Sequence, residues 1–173
     1  MIAGASISTS ELEDNAVTTA KITDANVTVA KLTTALDFTG NDIKLDKIVE
    51  DSTIAATAAT GTVNYDIKTQ SVLYFTSNAS GNYTLNLRGD GSTTLNSMLS
   101  DGDVITVVHL VTNGSSAYYN NAVQVDGSGV TPEWQGGSAP SSGNTNSVDA
   151  YTYSIFKTGD AAFTVFAAQT QFA

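Results

Sequence analysis

Apolar residues recur every five positions at the start of the chain: Ile2, Ile7, Leu12, Val17, Ile22, Val27 and Leu32. On an α-helix a step of five turns the face by about 140°, so these side chains would spiral round the rod instead of forming one stripe. In a flat strand a step of five is odd and sends alternate members to opposite faces. The backbone is therefore expected to turn once per unit. Two positions before each apolar residue sits mostly a small one, as at Ala5, Ser10, Ala20, Ala25 and Ala30. Asp37 takes the place of an eighth apolar residue, and the pattern resumes one position later at Phe38, Ile43 and Ile48. A longer similarity lies over it: residues 15–23 read NAVTTAKIT and residues 25–33 read ANVTVAKLT. Units this short cannot bury an apolar residue alone, because one side chain in five offers too little area against the ordering entropy of the rest. Their neighbours are either later coils of the same chain, as in a four-sided solenoid, or equivalent segments of other chains, as in a trimeric fibre. The strict pattern is too short to stack well on itself, so assembly with other chains is the expectation.

From about Thr53 the period changes. An Ala- and Thr-rich stretch at 53–61 reads as a linker between an arm, 1–52, and a domain, 62–173. In that domain Val63, Tyr65 and Ile67 alternate, Val72 to Phe75 form an apolar run, and Tyr83, Leu85 and Leu87 alternate again, each predicting a strand. Residues 103–111 are too apolar for a strand with one wet face and are expected in the middle of a core. A shorter strand is expected at 122–126. Two more, 150–157 and 162–169, carry Tyr151, Tyr153 and Ile155, then Phe163, Val165 and Ala167, around a tight turn at Thr158, Gly159 and Asp160. One short helix is expected at 92–99, capped by Ser92 or Thr93, with Leu95, Met98 and Leu99 inward. The expected fold is all-β, an extended repeat arm followed by an antiparallel β-sandwich of jelly-roll type.

Charge narrows the functional classes. The 173 residues include 17 acidic and 7 basic ones, a formal net charge of −10, so binding to nucleic acid through clustered Lys and Arg is not expected. Cysteine is absent, which removes disulfides and thiolate metal sites. No apolar run reaches the roughly 18 residues of a membrane span, and the first residues lack the features of a signal peptide. Assembly in a cytoplasm without membrane insertion is the expectation.

Candidate chemistry is sparse. The stretch 127–147 reads as a long irregular loop, of the kind that is usually functional or mobile. It holds the only tryptophan, Trp134. With Tyr118 and Tyr119 nearby in sequence, Trp134 is the candidate receptor or glycan contact through stacking on a sugar face; the alternative is that it plugs the base of the domain or a subunit contact. His109, the only histidine, sits within an apolar run and is expected in the core. Asp101 and Asp103 form the nearest carboxylate pair and more naturally build a turn than an acid–base couple or a cation site. Neither a nucleophile elbow nor a phosphate-cradling loop is present, and Arg88, Gly89 and Asp90 match an integrin-type tripeptide by coincidence. No catalytic residue, metal or cofactor is expected.

The repeats at 13–33, the run NDIKLDKI at 41–48, and the ending from Tyr151 to Thr170 resemble segments of tail-fibre and related virion structural proteins of bacteriophages, including those of cyanobacterial and other aquatic phages. The resemblance covers about the first 50 residues and the last 25. It implies a homotrimeric short fibre in the virion, joined to tail, neck or capsid proteins at one end and exposed at the other, where a host surface glycan is the candidate contact. The pentad residues Val17, Ile22, Val27 and Leu32 are the candidates for oligomerisation and docking. The rival expectations are a capsid decoration (cement) protein and a carbohydrate-binding tip module.

Overall fold

The computed structural model describes residues 46–172, so the arm positions Val17, Ile22, Val27 and Leu32 lie outside the described residues. The chain divides into two units between Lys47 and Ile48, and the fold below is that of the second.

Ten strands and one helical turn follow one another: β1 (Ser52–Ala58), β2 (Gly61–Asp66), β3 (Val72–Ser77), β4 (Tyr83–Arg88), α1 (Leu95–Met98), β5 (Val104–Thr112), β6 (Asn120–Val125), β7 (Ser128–Val130), β8 (Glu133–Trp134), β9 (Val148–Gly159) and β10 (Ala162–Phe172). Six form one sheet in the order β1–β3–β5–β9–β10–β8, and four form another in the order β2–β4–β6–β7. From β1 to β6 the chain changes sheet after every strand. Each return to a sheet therefore runs in the direction of the strand before it, and β1–β3, β3–β5, β2–β4 and β4–β6 are all parallel. The edge strand β8 also pairs parallel to β10. Antiparallel pairing is confined to β5–β9, β9–β10 and β6–β7. The all-β expectation holds, but the sheets are mixed where an antiparallel sandwich was expected.

Three coils, β1–β2, β3–β4 and β5–β6, thus stack on one another, and the long β9–β10 hairpin extends the larger sheet. Alternation directs the large side chains between the sheets. Leu85 and Leu87 of β4, Val107 and Val111 of β5, and Tyr151, Tyr153 and Ile155 of β9 are all buried. Burying each such side chain stabilises the fold by about 1.5–3 kcal/mol before entropy is counted. Hydrogen bonds also cross the interior: the Tyr65 hydroxyl donates to the Val108 carbonyl at 3.1 Å, and the Tyr153 hydroxyl to Asn120 Oδ1 at 2.9 Å.

Three boundaries differ from those expected. The stretch 53–61 is largely strand β1, an edge strand joined to β2 by a two-residue corner with Ala59 buried. The helix is capped by Thr94, not Ser92 or Thr93, through its Oγ1 and the Ser97 amide at 3.1 Å. The expected loop at 127–147 contains β7, β8 and a short 3-10 turn, Gln135–Gly137. Asp126 and Gly127 both take positive φ, 50° and 81°, and let β7 fold back on β6 as a two-residue hairpin turn requires.

Candidate functional site

Trp134 reaches its position through β8, whose pairing sets Glu133 opposite Phe166 and Trp134 opposite Ala167. Since Ala167 is buried, that register turns the indole inward. Its ring lies edge-on to Tyr151 and Tyr153, with centroids 6.5 and 6.2 Å away, the geometry that aromatic quadrupoles favour. The two tyrosines are stacked on each other 6.4 Å apart. Trp134 thus closes one side of the core between the sheets.

Three concave surfaces meet at this residue. A groove of about 460 Å³ runs past Glu133, Thr152, Ser154 and Phe166; one of about 370 Å³ is lined by Asn121, Val130 and Pro132; a third of about 260 Å³ by Gln135, Ser138 and Gln169. Tyr118 and Tyr119 are not among the ring partners of Trp134 given by this geometry. Their backbones serve the turn before β6: the Tyr118 carbonyl accepts from Asn113 Nδ2 at 3.0 Å, and the Tyr119 amide donates to Asn82 Oδ1 at 3.1 Å.

Beneath the aromatic layer lies a polar knot. Asp149 is fully buried at the start of β9; its Oδ2 accepts from Asn113 Nδ2 at 3.0 Å and from the Asn144 amide at 3.1 Å. Asp149 Oδ1 and Asn113 Oδ1 have no hydrogen-bond partner. Burial pushes the Asp149 carboxyl above the usual 3.8, against the pull of those donors. Gly143 passes so close that a Cβ there would overlap the Tyr118 carbonyl and come within 2.6 Å of both Asn113 Nδ2 and Asp149 Oδ2. The knot fixes the segment leading from β8 into β9.

His109 is fully buried on β5, edge-on to Phe75 and Tyr83 and stacked with Tyr151. Neither ring nitrogen has a hydrogen-bond partner, and burial lowers its pKa from 6.5 to about 3. At the opposite end of the inward row of β9, Lys157 Nζ donates to the Asn96 and Leu99 carbonyls at 2.8 and 2.9 Å, satisfying the end of the helical turn.

Other carboxylates serve turns and pairs. Asp103 Oδ2 accepts from the Ser100 amide at 2.7 Å, so the 101–103 pair builds the turn into β5. Arg88 pairs with Asp66 at 2.6 Å and Asp90 with Lys68 at 2.6 Å, which commits both charged ends of the integrin-type tripeptide. Among the described residues no three of His, Cys, Asp and Glu converge as a metal-binding group, and no helix is long and apolar enough to cross a membrane.

Sequence reasoning did not single out Phe156 and Phe166. They face outward on β9 and β10, 38% and 50% exposed, as an edge-to-face pair 5.7 Å apart. The signal was present, since both occupy the alternating positions that a solvated strand gives to polar residues. Comparison with protein-family models, curated proteins and solved structures finds no match to the chain.

Proposed function

We propose that the chain is a structural protein of a bacteriophage virion, a short fibre-type appendage held on the particle by its N-terminal arm and assembled as a homotrimer. The observation that carries this reading is the five-residue repeat of residues 2–32, a pattern that needs partner segments to bury its apolar positions. The β domain supports it as a rigid stack of coils suited to packing or presentation. We read that domain as stacked coils closed by a hairpin, in place of a jelly roll, because the chain crosses between sheets after every strand from β1 to β6. The work of such a protein is assembly and multivalent contact with tail, neck or capsid proteins, and with a host surface glycan, without turnover. Three copies of a weak site give firm attachment through effective concentration. For the receptor contact the Trp134 edge remains the candidate, with its accessible chemistry supplied by Glu133 and Gln135 around an inward-turned indole.

Light scattering on the full-length chain tests the reading. A fibre protein is expected at three times 17.9 kDa, and Ile22→Asp with Val27→Asp should dissociate it. A single chain at every concentration would instead favour a cement protein that finds its partner only on assembled capsid.

A further inference from the structure

The outward faces of the two sheets are chemically unlike. On the four-stranded sheet Asn64, Asn86 and Gln124 stand in one register row, Asn86 Nδ2 donating to Asn64 Oδ1 at 2.9 Å, and Asp66 pairs with Arg88 in the next. That face is polar and charged. On the six-stranded sheet the equivalent row reads Ile54, Tyr74, Leu110, Ala150 and Thr170, and its neighbour reads Ser52, Val72, Val108, Thr152 and Ala168. Ile54 is 69% exposed and Val104 51%, and the Phe156–Phe166 pair continues the patch onto β10. Only Asp149 and Lys157 carry a formal charge in β1, β3, β5, β9 and β10, and both are buried. The first charge met on the outward side is Glu133, on the edge strand β8.

We infer that this uncharged outer face of the six-stranded sheet is an interface, and that its occupant is the same face of other copies of this chain. Apolar side chains grouped on an exposed sheet face, with polar but uncharged Thr and Ser between them, mark contact sites on soluble proteins. A chain of net charge −10 repels its own copies at most orientations, and this face lets two of them approach without bringing carboxylates together. Size fits as well. Five strands about 4.8 Å apart, carrying six to twelve residues each at about 3.3 Å, present roughly 700 Å² in projection, close to the ~800 Å² per partner of a stable interface. Strand β5 bears the mark in sequence: its inward residues fill the core, while Val104, Val108 and Leu110, with Thr106 bonded to Ser154 between them, leave the other face uncharged and largely apolar. The inference rests on the fibre reading only in requiring that copies meet, and it places that meeting on the β domain in addition to the arm.

The test uses the full-length chain and two face variants, Thr152→Glu and Phe166→Glu. Gln124→Glu, on the polar sheet, adds the same charge as a control, and Ile22→Asp with Val27→Asp is the arm variant. Mass is read by light scattering over a range of concentration, and folding by thermal melting. The face variants are expected to weaken assembly at least about tenfold, as a charge forced into an apolar contact should, with the melting of the separated chain unchanged; Gln124→Glu should assemble like the parent. Thr152 is exposed and gives up no core contact, so its variant speaks even where Phe166→Glu perturbs its strand. If both face variants assemble like the parent while the arm variant dissociates, the interface is overturned and the fibre reading stands. If the face variants dissociate and the arm variant does not, the interface stands and the arm-driven trimer falls. A parent that remains a single chain throughout would overturn both.

Discussion

At His109 the fold favours the unprotonated imidazole over the charged one. Both nitrogens lack partners within a fully buried aromatic cluster, and a charge there would have no counter-ion among Phe75, Tyr83 and Tyr151. Its folded pKa of about 3 lies below the ordinary 6.5, so its contribution to stability is complete above about pH 6.5 and is lost as pH falls toward 3. The loss is on the order of 4 kcal/mol, a large share of a domain's usual 5–15 kcal/mol. His109→Leu should remove most of that acid sensitivity, read from denaturant melts at pH 7 and pH 4, and change stability at pH 7 by no more than about 1 kcal/mol, since lost ring contact is offset by removal of unpartnered nitrogens. Asp149 works in the opposite sense. Its folded pKa is raised, so the native state holds that proton more tightly than the unfolded chain. Stability should decline as pH rises from about 3.8 through the folded value and level off above it. Asp149→Asn keeps an acceptor for Asn113 and the Asn144 amide and adds a donor on the side of the unpartnered oxygens. It should raise the melting temperature at neutral pH and flatten that decline, whereas Asp149→Ala, which strands the donors, should cost about 1–3 kcal/mol. If Asp149→Asn is instead the less stable at neutral pH, the carboxylate is charged and compensated in the native protein.

The strands that could be read from the sequence are those with a strong period-two signal: Val63 and Tyr65, Leu85 and Leu87, and the tyrosines of β9. β1 gave no such signal, because Ser52 to Ala58 are mostly Ala and Thr and read as a linker. It is a strand through its pairing with β3, where Thr53 meets Leu73 and Ala55 meets Phe75, a case of context deciding over propensity. Pairing direction was equally hidden. A two-residue connection such as Ala59 and Thr60 ordinarily signals a hairpin, but here it is a corner, with Gly61 at φ 60° carrying the chain into the other sheet. β8 is two residues long, too short for any period. Trp134 was legible as a residue of interest, while its inward direction depends on one register, Trp134 opposite Ala167. A consequence follows for where the chain can be cut. A chain beginning at Ile48 keeps β1 and should melt like the full-length protein by circular dichroism. One beginning at Gly61 loses β1 and bares the edge of β3, and should be destabilised by several kcal/mol, in keeping with the loss of a paired strand and the burial it gives to Leu73 and Phe75. Equal melting of the two would mean that β1 contributes nothing to the sheet.

For the whole molecule the dominant long-range term is self-repulsion at a net charge of −10. Copies that meet through an uncharged apolar face gain hydrophobic burial at contact but pay for bringing their remaining carboxylates nearer. Added salt shortens the Debye length from about 30 Å at 0.01 M to about 10 Å at 0.1 M, which reduces the repulsion and leaves burial untouched. Assembly through the outer face of the six-stranded sheet should therefore tighten with sodium chloride, by about tenfold between these concentrations if roughly 1.4 kcal/mol of repulsion is screened. An interface made of ion pairs would respond in the reverse direction. Sedimentation of the full-length chain across that salt range separates the two. Assembly that weakens as salt is added would assign the contact to charged residues elsewhere on the surface and leave the apolar rows of β1, β3, β5, β9 and β10 without a partner of their own kind.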